Sequence, residues 1–121
     1  MKNILIIEDD EFLRGLILKK LSEEGFNASA AIDGEDGLKK AKDEKPDLVL
    51  LDLVLPGIDG FEVLEKLKAD PVLSKIPIII LSNLSQKEDI EKGVKFGASD
   101  YIIKAQFTPE EILEKIKLVI K

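Results

Sequence analysis

Runs of aliphatic residues without polar alternation recur along this chain. They are Ile4-Leu5-Ile6-Ile7, Leu48-Val49-Leu50-Leu51, Ile78-Ile79-Ile80-Leu81 and the shorter Tyr101-Ile102-Ile103. A strand with one wet face alternates apolar and polar side chains, so unbroken runs of this length predict strands buried on both faces. A sheet buried on both faces needs a layer of helices above it and another below. Phe26 to Ala31 alternates more and predicts an edge strand.

The segments between the runs have helical spacing. Phe12, Leu13, Leu16, Ile17 and Leu21 predict one apolar helix face. Asp33-Gly34 opens a short second helix carrying Leu38 and Ala41. Asp59 is an N-cap with Glu62 three residues on, followed by Phe61, Leu64 and Leu67 facing inward, and Asp70-Pro71 ends that helix. Ser85 and Glu88 have capping-box spacing ahead of Ile90 and Val94, with Gly97 as the stop. Thr108, Pro109 and Glu111 are N-cap, N1 and N3 of a fifth helix bearing Ile112, Leu113, Ile116 and Ile120.

Strand and helix thus alternate five times. With short connections and right-handed crossovers, that order predicts an α/β fold: a single doubly wound, five-stranded parallel sheet of order 2-1-3-4-5 with five helices, flavodoxin-like in class. One domain over residues 1–121 is expected, with no output domain attached.

Composition narrows the chemistry. The 121 residues contain no cysteine and no histidine. Disulfides, zinc–thiolate sites, Ser-His-Asp triads and histidine general bases are therefore excluded. Lysine and arginine number 18 against 24 acidic residues, a net charge of −6. Such a balance disfavours a phosphate backbone, so no direct nucleic-acid binding is expected. Ile4–Ile7 is too short to span a membrane and runs at once into Glu8-Asp9-Asp10-Glu11. No membrane association and a cytoplasmic location are expected. Carboxylates, hydroxyls and lysine remain, a set suited to a hard cation such as Mg²⁺.

In open α/β sheets, ligands bind beyond the carboxyl ends of the strands. Glu8 and Asp9 follow the first strand, Asp52 the third, Ser82 ends the fourth and Lys104 follows the fifth. Taken singly, each has an ordinary reading: an acidic first helical turn, a loop cap, a turn hydroxyl, a solvated lysine. Together, three carboxylates on one rim repel unless a cation or a lysine sits among them. Phosphoryl transfer to a carboxylate suits such a set. Asp52 would act as nucleophile, Glu8 and Asp9 would hold Mg²⁺ with Asp52 as a further ligand, and Ser82 and Lys104 would contact the phosphoryl oxygens.

Four segments carry a resemblance across the whole chain: Ile4 to Glu11, Asp47 to Gly60, Ile78 to Ser82 and Gly97 to Lys104. In these the sequence resembles a response-regulator receiver domain of two-component signalling. The stretch Asp52 to Gly60, with Pro56 and Asp59-Gly60 after the aspartate, is the most specific. The resemblance implies that Asp52 is the phosphorylation site and that Glu8 and Asp9 are the metal-binding pair. It implies that the Val54 backbone carbonyl is a further Mg²⁺ ligand, that Ser82 and Tyr101 are the switch residues, and that Lys104 is the family's lysine. Its partners would be a sensor histidine kinase or phosphotransfer protein and an output protein, with a phosphorylation-dependent homodimer as a further form. Phosphorylation would draw Ser82 inward, with Tyr101 following, and alter the surface of helix four, strand five and helix five. The chain would be a signalling domain, catalysing only its own phosphorylation and dephosphorylation.

Two features set it apart. Ala105 stands where such domains usually carry proline after the lysine. Val54 and Leu84, at the two positions that flank the phosphoryl group in the resembling family, are apolar, and Asn83 is bulkier than the alanine or glycine common there. These imply slow hydrolysis of the phosphorylated state. A haloacid-dehalogenase-like phosphatase would need a second aspartate where Val54 stands. A degenerate receiver serving only as an interaction module would lack part of the set Glu8, Asp9, Asp52, Ser82 and Lys104.

Overall fold

The computed structural model describes residues 2–120. Strands β1 (Asn3–Ile7), β2 (Asn27–Ala31), β3 (Leu48–Leu51), β4 (Ile78–Ser82) and β5 (Asp100–Ile103) form one parallel sheet of order β2-β1-β3-β4-β5. Helices α1 (Glu11–Glu23), α2 (Gly34–Glu44), α3 (Gly60–Ala69), α4 (Lys87–Lys95) and α5 (Pro109–Ile120) follow the strands in turn.

Strand parity divides the core in two. Ile4, Ile6, Leu48, Leu50, Ile79, Leu81 and Ile102 bury against Ile17 and Leu21 of α1 and Ile112, Leu113 and Ile116 of α5. Leu5, Ile7, Val49, Leu51, Ile78 and Ile80 face the other way, onto Ala41 of α2 and Val63, Leu64 and Leu67 of α3. The missing alternation in the runs is the mark of this two-sided burial.

Helix starts follow the sequence reading at Asp33, Asp59 and Thr108, and Asp10 adds a cap that was not expected. Asp10, Asp33 and Asp59 each accept a hydrogen bond from the N3 amide of their helix, those of Leu13, Asp36 and Glu62. Thr108 and Glu111 cap α5 reciprocally: Glu111 N–H donates to Thr108 Oγ1 at 3.1 Å and Thr108 N–H to Glu111 Oε1 at 2.8 Å.

Three expectations need correction. No Ser85–Glu88 box forms; α4 starts later, from Gln86, whose side chain makes no capping bond. The Gln86 carbonyl accepts instead from the Asp89 and Ile90 amides, so the first turn closes one residue downstream of the predicted cap. Phe12 does not join the α1 face and is 79% exposed. The buried stripe runs through Ile17 and Leu21, with Leu13 packed against it, and Phe12 lies one residue off that spacing. Finally, β5 is only half buried, with Ile102 its one buried residue, because the sheet order places it on an edge.

Candidate functional site

The carboxyl ends of β1, β3, β4 and β5 bring the expected groups to one rim. Glu8 and Asp52 are buried there, and Asp9 is exposed. One carboxylate oxygen from each of the three lies within 4.8 Å of the others. The Lys104 ammonium lies 2.9 Å from Asp52 Oδ2 and 2.7 Å from Glu8 Oε1. One cation thus spans the two buried carboxylates.

Backbone groups fix the acids. Asp52 Oδ1 accepts the Val54 N–H at 3.2 Å, and Glu8 Oε2 accepts the Asp10 N–H at 3.0 Å. Arg14, the chain's one arginine, donates to the Glu8 backbone carbonyl at 3.0 Å and braces the loop that carries the acidic pair. Burial pushes the Glu8 carboxyl up to about 7; Lys104 and the Asp10 amide pull it back, and the Asp52 charge adds to the rise. Burial pulls the Lys104 ammonium down, but its bonds and charge interactions with Glu8 and Asp52 outweigh that and hold it above the ordinary lysine value. Glu8 therefore binds its proton more tightly in the folded state than in the unfolded chain. Its contribution to stability is fully present at the acid side of its ordinary value of 4.5 and falls as the pH rises to about 7.

The donor set suits a hard cation. Glu8 Oε1 is buried, and the Lys104 ammonium at 2.7 Å is its close polar contact, with no hydrogen-bond partner beyond it. An oxygen in that condition has capacity left for a metal ion, and all the side-chain donors gathered here are carboxylate oxygens. Val54 lines the same pocket with Asp9, Asp10, Asp52, Asn83 and Lys104. Val54 meets Asp52 through its N–H.

Ser82 is fully buried, and its Oγ accepts the Leu84 N–H at 3.2 Å. Tyr101 OH donates to the Leu84 carbonyl at 2.5 Å. The Tyr101 ring is half-buried and packs beside α4, where a Cβ on Gly93 would sit 3.1 Å from Tyr101 Cδ2. Burial, then the Asp89 charge, pushes the Tyr101 hydroxyl up to about 12, so it remains a donor.

The peptide after Lys104 is trans, and Lys104–Gln106 forms one 3₁₀ turn. The bond from the Ala105 N–H to Asn83 Oδ1 went unread in the sequence, as did the Arg14 brace. Each joins a side chain to a backbone group that any residue would supply, so neither leaves a residue-type signature.

The profile of the response regulator receiver domain matches residues 4–117. This chain belongs to that family. The receiver is similar to the Bacillus subtilis alkaline phosphatase synthesis transcriptional regulatory protein PhoP, at 37% identity over 99% of this chain and 49% of that protein. It is similar to the Staphylococcus aureus response regulator ArlR, at 38% identity over all of this chain and 53% of that protein. The receiver therefore spans about half the length of the curated relatives it matches. Among solved structures it resembles a CheY-like receiver domain protein from Methanospirillum hungatei, with a TM-score of 0.92 and 31% identity over 99% of this chain and 94% of that one. It also resembles the BeF3-activated receiver domain of Klebsiella pneumoniae RstA, with a TM-score of 0.89 and 31% identity over 98% of each chain. The fold is thus that of a two-component signalling domain. No helix among the described residues is long and apolar enough to cross a membrane.

Proposed function

We propose that this receiver accepts a phosphoryl group on Asp52 from a sensor histidine kinase or phosphotransfer protein, and that residues 1–121 act as one receiver unit. The reading rests on one observation above the others: the Lys104 ammonium bridges buried Glu8 and Asp52. Any buried carboxylate needs a compensating cation, but here one ammonium reaches two acids at once and stands beside an aspartate placed to take on further negative charge.

Glu8, Asp9 and Asp52 would hold Mg²⁺, with the Val54 carbonyl as a further ligand. When bound, the ion supplies charge neutralisation of the phosphoryl oxygens. An Asp52 carboxylate oxygen forms the new O–P bond. The donor's P–N or P–O bond breaks, and its electron pair leaves with the donor. The Val54 N–H and Lys104 orient the nucleophile, and Lys104 then moves its contact to a phosphoryl oxygen. Ser82 donates to another oxygen, giving up the Leu84 N–H, and the Tyr101 clasp on the same residue transmits the change to the surface of α4, β5 and α5. That surface would bind an output protein or a second copy. Several relatives are named as transcriptional regulators, and the Synechocystis RpaA is named DNA-binding. For this chain, with its acidic balance, we assign output to protein contacts.

Incubation with Mg²⁺ and acetyl phosphate, followed by intact-mass measurement and peptide mapping, should give one phosphoryl adduct on Asp52. An adduct elsewhere, or none, overturns the reading. Binding of Mg²⁺ needs the Glu8 carboxylate, so affinity should strengthen as the pH is raised from about 6 to 8, with proton release. Titration calorimetry at several pH values measures this, and pH-independent affinity would remove Glu8 from the ligand set.

The slow hydrolysis read from Val54 and Leu84 divides between them. Val54 is 59% exposed and lines the pocket, whereas Leu84 packs against the core. Val54→Asn alone should therefore accelerate decay of the phosphorylated protein, because its amide can hold a water in line. An unchanged decay rate would place the limit elsewhere.

A further inference from the structure

The loop after β4 and the turn after β5 form two walls of the acidic pocket, and one side chain ties them together. Asn83 Oδ1 accepts the Ala105 N–H at 3.1 Å, across 22 positions of sequence. Asn83 also lines the pocket beside Asp52, Val54 and Lys104. The donated N–H belongs to the peptide unit joining Lys104 to Ala105. The bond therefore holds the plane at the root of the Lys104 side chain.

That root matters because the lysine side chain is long and rich in rotamers. Its ammonium must nevertheless meet Glu8 Oε1 at 2.7 Å and Asp52 Oδ2 at 2.9 Å. The turn itself supplies little support: its own backbone bond, Phe107 N–H to the Lys104 carbonyl, is long at 3.4 Å. On the other wall, Asn83 directly follows the buried Ser82. Only the carbonyl half of an asparagine amide accepts, so the bond fixes which end of Asn83 meets Ala105. The bond also requires a residue at 105 that keeps its N–H, as alanine does and proline does not.

We propose that Asn83 is a positioning residue that sets Lys104 against Asp52 and links it to Ser82, so that the two groups facing the phosphoryl oxygens move as one unit. The proposal rests on Asp52 as acceptor for its consequence in rate, though not for the latch itself.

Asn83→Leu keeps much of the volume and removes the acceptor. Asn83→Asp keeps an acceptor for the Ala105 N–H. Three properties of each are compared with the unaltered protein: exchange of the Ala105 amide, the NMR shift of the Lys104 ε-methylene group, and the maximal rate of phosphorylation by acetyl phosphate at saturating Mg²⁺. In Asn83→Leu, Ala105 exchange should quicken and the maximal rate fall, each by roughly two- to tenfold, as for loss of one hydrogen bond. The Lys104 signal should move, while Mg²⁺ affinity and the melting temperature stay as they were. Asn83→Asp should retain the Ala105 protection. A Lys104 signal that stays in place in Asn83→Leu overturns the proposal, even if the rate falls. If the unaltered protein takes up no phosphate, the acceptor reading fails, and the Lys104 signal alone decides the positioning role.

Discussion

Asp52→Asn is expected to abolish phosphoryl uptake from acetyl phosphate while leaving the protein folded. The amide keeps the shape of the carboxylate but is no nucleophile. Folding should survive because the Asp52 side chain meets only the Val54 N–H and the Lys104 ammonium, and Lys104 keeps Glu8 as a partner. An asparagine offers one oxygen where the carboxylate offered two, so one of these contacts is lost, at a cost of about 1 kcal/mol. Intact mass after incubation, together with a thermal melt, decides the matter. Continued uptake of one phosphoryl group by the folded variant would mean that Asp52 is not the acceptor.

Gly60→Val should produce the largest loss of stability of any substitution discussed here. A Cβ at position 60 would lie 2.3 Å from the Asp52 carbonyl oxygen and 2.4 Å from the Leu53 Cα. Neither atom can withdraw easily. The Asp52 N–H is tied to the Ile7 carbonyl at 2.9 Å, and the Leu53 carbonyl accepts the Gly60 N–H at 2.8 Å. Relief of the overlap requires the start of α3 to lift off the strand end, at a cost of about 3 kcal/mol or more. For a domain of this size the melting temperature should fall by roughly 10 °C or more. Gly15→Ala on α1 is the control. Nothing lies within 4 Å of its Cβ, so that change should be neutral or stabilising. Equal melting temperatures for Gly60→Val and the unaltered protein would show that the contact yields.

These two cases mark how far the sequence is legible. Asp59-Gly60 reads as a helix start from residue types alone, and Asp59 does cap α3. That Gly60 presses α3 onto the backbone of Asp52 is a packing fact with no local pattern. Ile4–Ile7, Leu48–Leu51 and Ile78–Leu81 show two-sided burial because a strand's side chains report both faces at once. Tyr101–Ile103 looks similar, yet only Ile102 of β5 is buried; the edge position was legible from the predicted strand order and not from the run itself. Apolar side chains record what lies above and below a strand, not whether another strand lies beside it. The gathering of Glu8, Asp9, Asp52 and Lys104 was legible because a parallel sheet sends every strand's carboxyl end to one rim. Arg14 on the Glu8 carbonyl and Asn83 on Ala105 were not, since each joins a side chain to a backbone group that any residue would supply.

Leu84 gives its N–H to Ser82 and takes the Tyr101 hydroxyl on its carbonyl, so one residue joins the buried hydroxyl beside the pocket to the half-buried ring on β5. A ligand on either side that favours one arrangement of that residue changes the affinity on the other side by the same factor, because coupling free energy is reciprocal. A protein that docks over Tyr101 and prefers the clasped form would therefore be an effector of the pocket as well as its reader. The strength of signal this domain passes on would then depend on how much of that listener is present.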